Sequence, residues 1–585
     1  MSALNNAIEK LGTRRLVSWL IALLVFNIFA VLSVSIRSDF AYYLFPALGA
    51  GGALTALWMG QRFRIRVQAP ISSETASSKG GNIRFIVILI ILSALINGWQ
   101  SLAAPPHRII DTWQYFIGSD QLLGYAHTYV EPENPGFLQD GYYTYAYPLF
   151  IAIHRLLSGD LVLLIFVQHL LRVLVVIGTF LILQKLDIRL AKVTGVLLAL
   201  SPITANNAHL MLTEGVYAPL ILFFTFIIYL AVTKATLGIL VLTGVLIALI
   251  AWIRPAGTYL VIPIMLLLFL VTHNWKKVIP AIGSMMIVLL LISGGRWSID
   301  RNFTFQTTTE GVYYFVGMVF HNLYADTNGP ISAAFYEALR ESDCSTDIVS
   351  LYQMYPGATR TEDLSRQYFA DEIWECAAQV NPQIANRQTT MLVEAIQTKP
   401  FQFLQSVFDE FMYFISQMEI NILWQSTIPP ICDRDYALAA FNYDNGTHDR
   451  FRNYACTFNV PENALIQTNF ANYNVTFLFL SQPYLLLNLL YASPTVTFAG
   501  ACCMAGFVWI EGSPRWRLLL LIVLTIIIYH AAMTALFFTQ PRYVMVLNGL
   551  FVVVASMFYA IAFPQFARSL QAIFKKSHSP QQDRW

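Results

Sequence analysis

Apolar runs of about twenty residues recur along the whole chain, and a helix of that length is what crossing a hydrocarbon layer ~30 Å thick requires. No other feature restricts the fold so much. With 56% hydrophobic and only 12% charged residues in a length of 585, the chain falls in the multi-spanning membrane class. A formal net charge of +2 gives no ground for a nucleic-acid partner. The 36 basic residues tell more by position than by sum, because cytoplasmic turns collect lysine and arginine.

Read that way, the chain has an ordered topology. Lys10, Arg14 and Arg15 precede a first run at 16–36, which is too long for a signal-peptide core and is followed by no small-residue cleavage site. A second run at 40–59 leads into a linker carrying Arg62, Arg64, Arg66, Lys79 and Arg84, which belongs inside. The third, 85–104, therefore delivers the polar loop 105–148 to the outside. Residues 147–157 are too few to cross and are expected to form an interfacial helix. Further spans follow at 161–183, 190–206, 213–233, 236–253, 257–272 and 278–294, with Lys185, Arg189, Lys192, Lys234, Lys276 and Lys277 on the inner turns. The region 477–510 is long enough for one span with an interfacial lead-in or for two short ones; one span, then 517–538 and 543–563, brings the expectation to about twelve with both termini inside. The fold class is thus an all-α polytopic membrane protein. Its parts are two extra N-terminal helices and a basic linker (1–83), a transmembrane core (84–294), an extracytoplasmic domain (295–481), and C-terminal helices with a cytoplasmic tail (482–585).

The extracytoplasmic domain is expected to be mainly helical, since apolar residues recur every three to four positions in two of its stretches. The second of these, 387–415, is apolar enough to lie against a membrane. Cys344, Cys376, Cys432 and Cys456 fall in this domain, and an even number in an exported domain suggests two disulfides, with three pairings open. Their spacing does not resemble a zinc site. Asn302, Asn445 and Asn474 each open a glycosylation sequon, which matters only in a eukaryotic lumen.

Function is sought where polar groups gather at the outer surface. The loop 105–148 opens with Asp111, four residues ahead of Tyr115, runs through a helix-like stretch, and ends in a tyrosine-rich turn at Tyr142, Tyr143 and Tyr145. The same topology brings His209, Glu214, Arg254 and Arg542 to this surface. Arginine at such depth is costly unless it meets an anion, and a lipid phosphate suits it; the alternative is snorkelling or a structural carboxylate such as Glu214. Arg172 lies deeper, with Gln168 one turn away, where internal packing competes with phosphate binding.

Taken in order, DTWQY (111–115), YAYPLF (145–150), LTEGVYAPL (212–220), WIRPAG (252–257), LVEAIQTKPFQFL (392–404) and QPRYVM (540–545) resemble the GT-C superfamily of membrane glycosyltransferases, in its protein-mannosyltransferase-like branch. The resemblance covers about residues 84–563 and implies a GT-C-like fold with a polyprenyl-phosphate sugar as donor. It also implies that Asp111 is the catalytic base. Thr112 stands where many relatives carry a second acid, a departure from a paired-acid or metal-bound arrangement, so no cofactor is expected, a divalent metal staying open as the alternative.

Such a donor carries a good leaving group, so the protein has to deprotonate an acceptor hydroxyl and stabilise the departing phosphate. A carboxylate base contributes ~10² to 10⁴ in rate, and Arg254, Arg542 and Arg172 are the candidate phosphate-binding cations. Trp113, Tyr115, Tyr145, His209, Glu214 and Tyr543 are the candidates for the remaining substrate contacts, the aromatics either stacking on sugar faces or anchoring at the interface. The expected activity is an inverting transfer to a hydroxyl of a glycan, lipid or protein, on the periplasmic or exterior face, or in the lumen of a eukaryotic cell. Two rivals stand beside it. One is a lipid-linked glycan polymerase or ligase; the other is a lipid or sugar transporter, which would call for an internal repeat or paired broken helices.

Overall fold

The computed structural model describes residues 79–103, 115, 118–119, 122–124, 145–158, 162–300, 323, 325–341, 374, 377–384, 387–408, 410–411, 414, 498–537 and 546–577. The expected spans 16–36 and 40–59 lie outside them, as do Cys344, Cys376, Cys432 and Cys456. Among the described residues the chain is helical throughout, with no strand. Its helices are α1 (Lys79–Ala103), α2 (Ala146–Ser158), α3 (Val162–Leu183), α4 (Ile188–Leu200), α5 (Pro202–His209), α6 (Glu214–Lys234), α7 (Leu237–Ile253), α8 (Val261–Thr272), α9 (Trp275–Asp300), α10 (Pro330–Glu341), α11 (Gln388–Thr398), α12 (Phe498–Glu511), α13 (Pro514–Phe537) and α14 (Asn548–Ser577).

Six helical segments among the described residues are long and apolar enough to cross a membrane: those within α1, α3, α6, α9 and α13, and α8 together with the 3₁₀ turn Pro255–Leu260 before it. The bent pair α4 and α5 would make a seventh. α7 is shorter at 17 residues but apolar apart from Thr243. Their outward faces carry large apolar side chains, Leu291 at 69%, Ile279 at 64% and Phe166 at 61% exposed, a surface suited to lipid and not to water. Inside, Leu89, Phe180, Phe224, Phe226, Phe507, Phe551 and Phe558 pack into one continuous core. Hydroxyls within the helices bond back to the preceding turn, as Thr225 to the Ile221 carbonyl (2.8 Å) and Ser556 to the Val552 carbonyl (2.6 Å). Such back-bonding satisfies them without water. These are the marks of a helical membrane protein.

Local residues explain the turns. Asp187 caps α4 by accepting from the Arg189 and Leu190 amides (2.7 and 3.1 Å). Ala235 and His273 adopt left-handed backbone at the short turns after α6 and α8, so the chain reverses at once. Lys234 closes α6, Lys276 and Lys277 lie in the first turn of α9 and Arg515 and Arg517 in the first turn of α13, while Lys192 lies over the Phe85 ring at 5.9 Å. The opposite ends of the same helices hold Glu214, Arg254, Arg296 and His530.

The apolar run expected as one span at 190–206 is instead broken: α4 and α5 meet at 57°. Pro202 cannot donate to the turn before it and pushes Ser201 into extended backbone, φ −68 and ψ 110, from which the Ser201 hydroxyl accepts from the Thr204 amide (3.3 Å). Residues 147–157 do form a helix, α2, of 13 residues, which at ~1.5 Å per residue spans only about 20 Å. It buries Tyr147, Ile151 and His154 and leaves Leu156 and Leu157 open. Within 477–510 only residues 498–510 are described, and they form all of α12 but its last residue.

Candidate functional site

The site grows from the end of α5 and from α2, which Gln168 of α3 ties together against the first turn of α6. Its amide nitrogen donates to the Ala208 and Leu210 carbonyls (3.0 and 2.8 Å), and its amide oxygen accepts from the Tyr147 hydroxyl (2.8 Å). Both side chains are buried. Tyr115 lies edge-on to Tyr147 at 5.0 Å in a small cluster with Ile151, Leu164 and Met211. Residues 115 and 118–119 are therefore docked on α2, Ser119 accepting from Arg155 (3.3 Å) and Gly118 lying close to Pro148. Burial, with Tyr115 and then Glu214 nearby, pushes the Tyr147 phenol well above its ordinary range. It thus remains a neutral donor to Gln168 at any working pH.

Gly215 makes this packing possible. A β-carbon there would stand 2.7 Å from the Gln168 side-chain amide. Gly215→Ala is expected to cost about 1–3 kcal/mol through overpacking, measured as a lower midpoint of thermal unfolding in detergent. An unchanged midpoint would contradict the close approach.

Arg172 sits one turn beyond Gln168, 4% exposed. Its guanidinium donates to five oxygens: Asn97 Oδ1 (2.7 Å), Thr204 Oγ1 (3.0 Å) and the carbonyls of Leu198 (2.8 Å), Ala199 (2.8 Å) and Ser201 (3.2 Å). Three of these are the carbonyls around the end of α4, of which Leu198 also accepts from the Ser201 amide (3.3 Å) and Ser201 from the Ala205 amide (3.2 Å). A cation at a helix C-terminus is favourable, so Arg172 holds the break closed. These five bonds run to protein oxygens, the internal packing that was one of the two roles expected for it.

Beside it, His169 Nε2 and His209 Nδ1 are 3.1 Å apart, both imidazoles buried, one donating to the other. His209 thus faces an internal partner and not the surface.

Glu214 opens α6 and is 1% exposed. Arg254 reaches it at 3.3 Å, and the Thr213 hydroxyl donates to its second oxygen (3.1 Å). Arg254 precedes Pro255, which forces it out of the helix into extended backbone, φ −141 and ψ 128. α7 ends there and the side chain is carried to the rim of the bundle, 16% exposed. It also lies over the Tyr217 ring at 5.5 Å. Tyr217 in turn donates to His530 Nε2 (3.0 Å), because His530 Nδ1 is committed to the Ile526 carbonyl (2.9 Å). Tyr529 donates to the Ala256 carbonyl. α6, α13 and the turn after α7 are thereby locked around Arg254.

At the same end, Arg296 lies over the Tyr145 ring at 5.7 Å and is 6% exposed. It brings the close of α9 against the residue with which the loop 105–148 rejoins the bundle.

Of the residues singled out from sequence, Tyr115, Tyr145, Arg172, His209, Glu214 and Arg254 thus share one end of the bundle. Arg254 and Tyr145 keep part of their surface open; Tyr115, Arg172, His209 and Glu214 are enclosed. Asp111, Trp113, Tyr142, Tyr143, Arg542 and Tyr543 lie outside the described residues. Gln168, Tyr147, Tyr217, His530 and Arg296 were not among the expected site residues, although Arg296 closes an apolar run just as Arg254 does. Among the described residues no group of three or more metal-ligating side chains comes together. Compared with known protein families and with characterised proteins, the sequence matches none.

Proposed function

We propose that this protein is an inverting glycosyltransferase that moves a sugar from a polyprenyl-phosphate donor to a hydroxyl of a glycan, lipid or protein at the extracytoplasmic face. The observation that carries the reading is Arg254: a cation on a proline-fixed break, paired with a buried carboxylate and partly open at the end of an apolar bundle. An arginine fork so held is preorganised for a phosphate oxygen, and the neighbouring lipid-suited faces can present a prenyl chain to it. Arg542, expected at the same end, would supply a second donor.

In this reading the acceptor hydroxyl gives its proton to Asp111 as its oxygen attacks the anomeric carbon. The bond from that carbon to the phosphate oxygen breaks, and prenyl phosphate leaves as the anion that Arg254 stabilises. A single base acting opposite the leaving group inverts the anomeric centre. Trp113, Tyr145 and Tyr543 are the residues expected to contact the sugar, and Glu214 orients Arg254 without touching substrate.

Arg254→Ala is expected to lower kcat/KM for a prenyl-phosphate sugar by about 10² to 10³. The change should fall on both donor KM and kcat. Because it leaves Glu214 buried without its cation, the double variant Arg254→Ala with Glu214→Gln is the fold control and should lose activity alike. Unchanged kcat/KM in both would remove the phosphate-binding role.

A further inference from the structure

Two adjacent residues of α13, Tyr529 and His530, bear on Arg254 in different ways. The backbone is fixed first. The Arg254 amide donates to the Ile250 carbonyl (3.1 Å), its carbonyl accepts from the Gly257 amide (2.8 Å), and the Tyr529 hydroxyl donates to the Ala256 carbonyl. A β-carbon at Gly257 would stand 2.7 Å from the Ile250 side chain, so this turn lies tight against the end of α7. What the backbone leaves open is the direction of the arginine side chain, a long stem with many rotamers.

The guanidinium meets protein at an edge and at a face. Glu214 takes its edge at 3.3 Å, and its face lies over the Tyr217 ring, 5.5 Å from the guanidinium carbon to the ring centre. The ring is in turn pinned at its hydroxyl by His530. A carbonyl can only accept, so His530 Nδ1, 2.9 Å from the Ile526 carbonyl, carries the proton of the neutral imidazole. Nε2 is left as the acceptor for the Tyr217 hydroxyl (3.0 Å). Tyr217 is 1% and His530 5% exposed, so the bond is closed to water. A cation is drawn to the face of an aromatic ring, and the tilt of the Tyr217 ring therefore sets the tilt of the guanidinium above it.

On the phosphate-binding role proposed for Arg254, we infer that His530 is a positioning residue for it, acting through Tyr217. The relay holds the ring, the ring holds the guanidinium plane, and the plane decides which edge meets a phosphate oxygen. His530 has no part in binding the donor itself. It stands 313 positions along the chain from Tyr217 and on another helix, so α13 contributes to the site through this one bond as well as through Tyr529.

The test is equilibrium binding, to the full chain in detergent, of a free prenyl phosphate and of the uncharged prenol with the same chain. The ratio of the two affinities isolates what the phosphate adds, and a general loosening of the bundle would weaken both ligands alike. Arg254→Ala is expected to lower the ratio by about 10-fold or more. His530→Phe keeps the ring but removes the acceptor, and should lower the ratio several-fold. His530→Gln, which can again accept from Tyr217, should bring it back to within about twofold of the wild type. In a Tyr217→Phe background, His530→Phe should have no further effect. That double variant replaces both buried partners by rings of similar shape and strands neither, so it remains readable where His530→Phe alone folds poorly; its ratio should be as low as that of Tyr217→Phe. An unchanged ratio in Arg254→Ala would overturn the phosphate role and the relay together. A lowered ratio in Arg254→Ala with a wild-type ratio in His530→Phe, or in both Tyr217→Phe and the double variant, would overturn the relay alone. So would a His530→Phe loss that persists undiminished in the Tyr217→Phe background.

Discussion

Asp111→Asn is expected to lower sugar transfer by about 10² to 10⁴ while leaving donor binding close to that of the wild type. Asparagine keeps the size and much of the hydrogen bonding of aspartate, but it cannot take the acceptor's proton. The lipid phosphate is held elsewhere, by Arg254 and Arg542 in the proposed scheme, so KM for the donor should move little. The aspartates Asp120 and Asp140 lie in the same loop outside the motif, and their asparagine variants should keep activity. Single-turnover rates on purified protein separate the chemical step from binding. Full activity in Asp111→Asn at normal expression would remove Asp111 from the mechanism.

Arg172→Met is the counterpart for the fold. Methionine fills a similar length with no charge, yet it takes the donor from the Ala199 carbonyl and Asn97 Oδ1 and one of several partners from Leu198, Ser201 and Thr204. Hydrogen bonds to a charged group are worth ~1.5–3 kcal/mol each, and stranding buried polar partners costs more than the bond itself gained. A loss on the order of 3–5 kcal/mol is expected, read as a much lower unfolding midpoint in detergent. Were Arg172 a phosphate ligand, the midpoint would hold and the donor KM would rise. The two readouts therefore decide between its alternatives, and the geometry favours the first.

The helices were legible because each long apolar run ends at lysine or arginine. Expected spans at 161–183, 213–233 and 236–253 lie within a residue or so of α3, α6 and α7, since nothing inside those runs competes with helix in lipid except Pro219, which α6 absorbs. The break at Ser201–Pro202 was signalled by the proline but overridden by apolarity.

The candidate site was legible as a surface and not as a network. Arg254 and Glu214 could be placed at one end by counting spans, and their pairing was already an alternative. The fivefold bonding of Arg172 joins residues 26 to 75 positions apart, and no local pattern encodes that. The His169–His209 pair and the Tyr217–His530 bond are hidden for the same reason, because lone polar residues in apolar runs announce that they need partners without saying which. Arg296 could have been found by the rule that drew attention to Arg254, that a cation ending a span needs company.

The most direct measurement is the fate of the donor. Purified protein in phosphatidylcholine liposomes would be given prenyl-phosphate hexoses and pentoses, radiolabelled in the sugar, together with hydroxyl acceptors extracted from the source membrane. The account predicts label on the acceptor with inverted anomeric configuration and an equimolar release of free prenyl phosphate, both abolished in Asp111→Asn. Intact donor moved between the two leaflets, with no prenyl phosphate released from any sugar tried, would contradict it and identify a transporter instead.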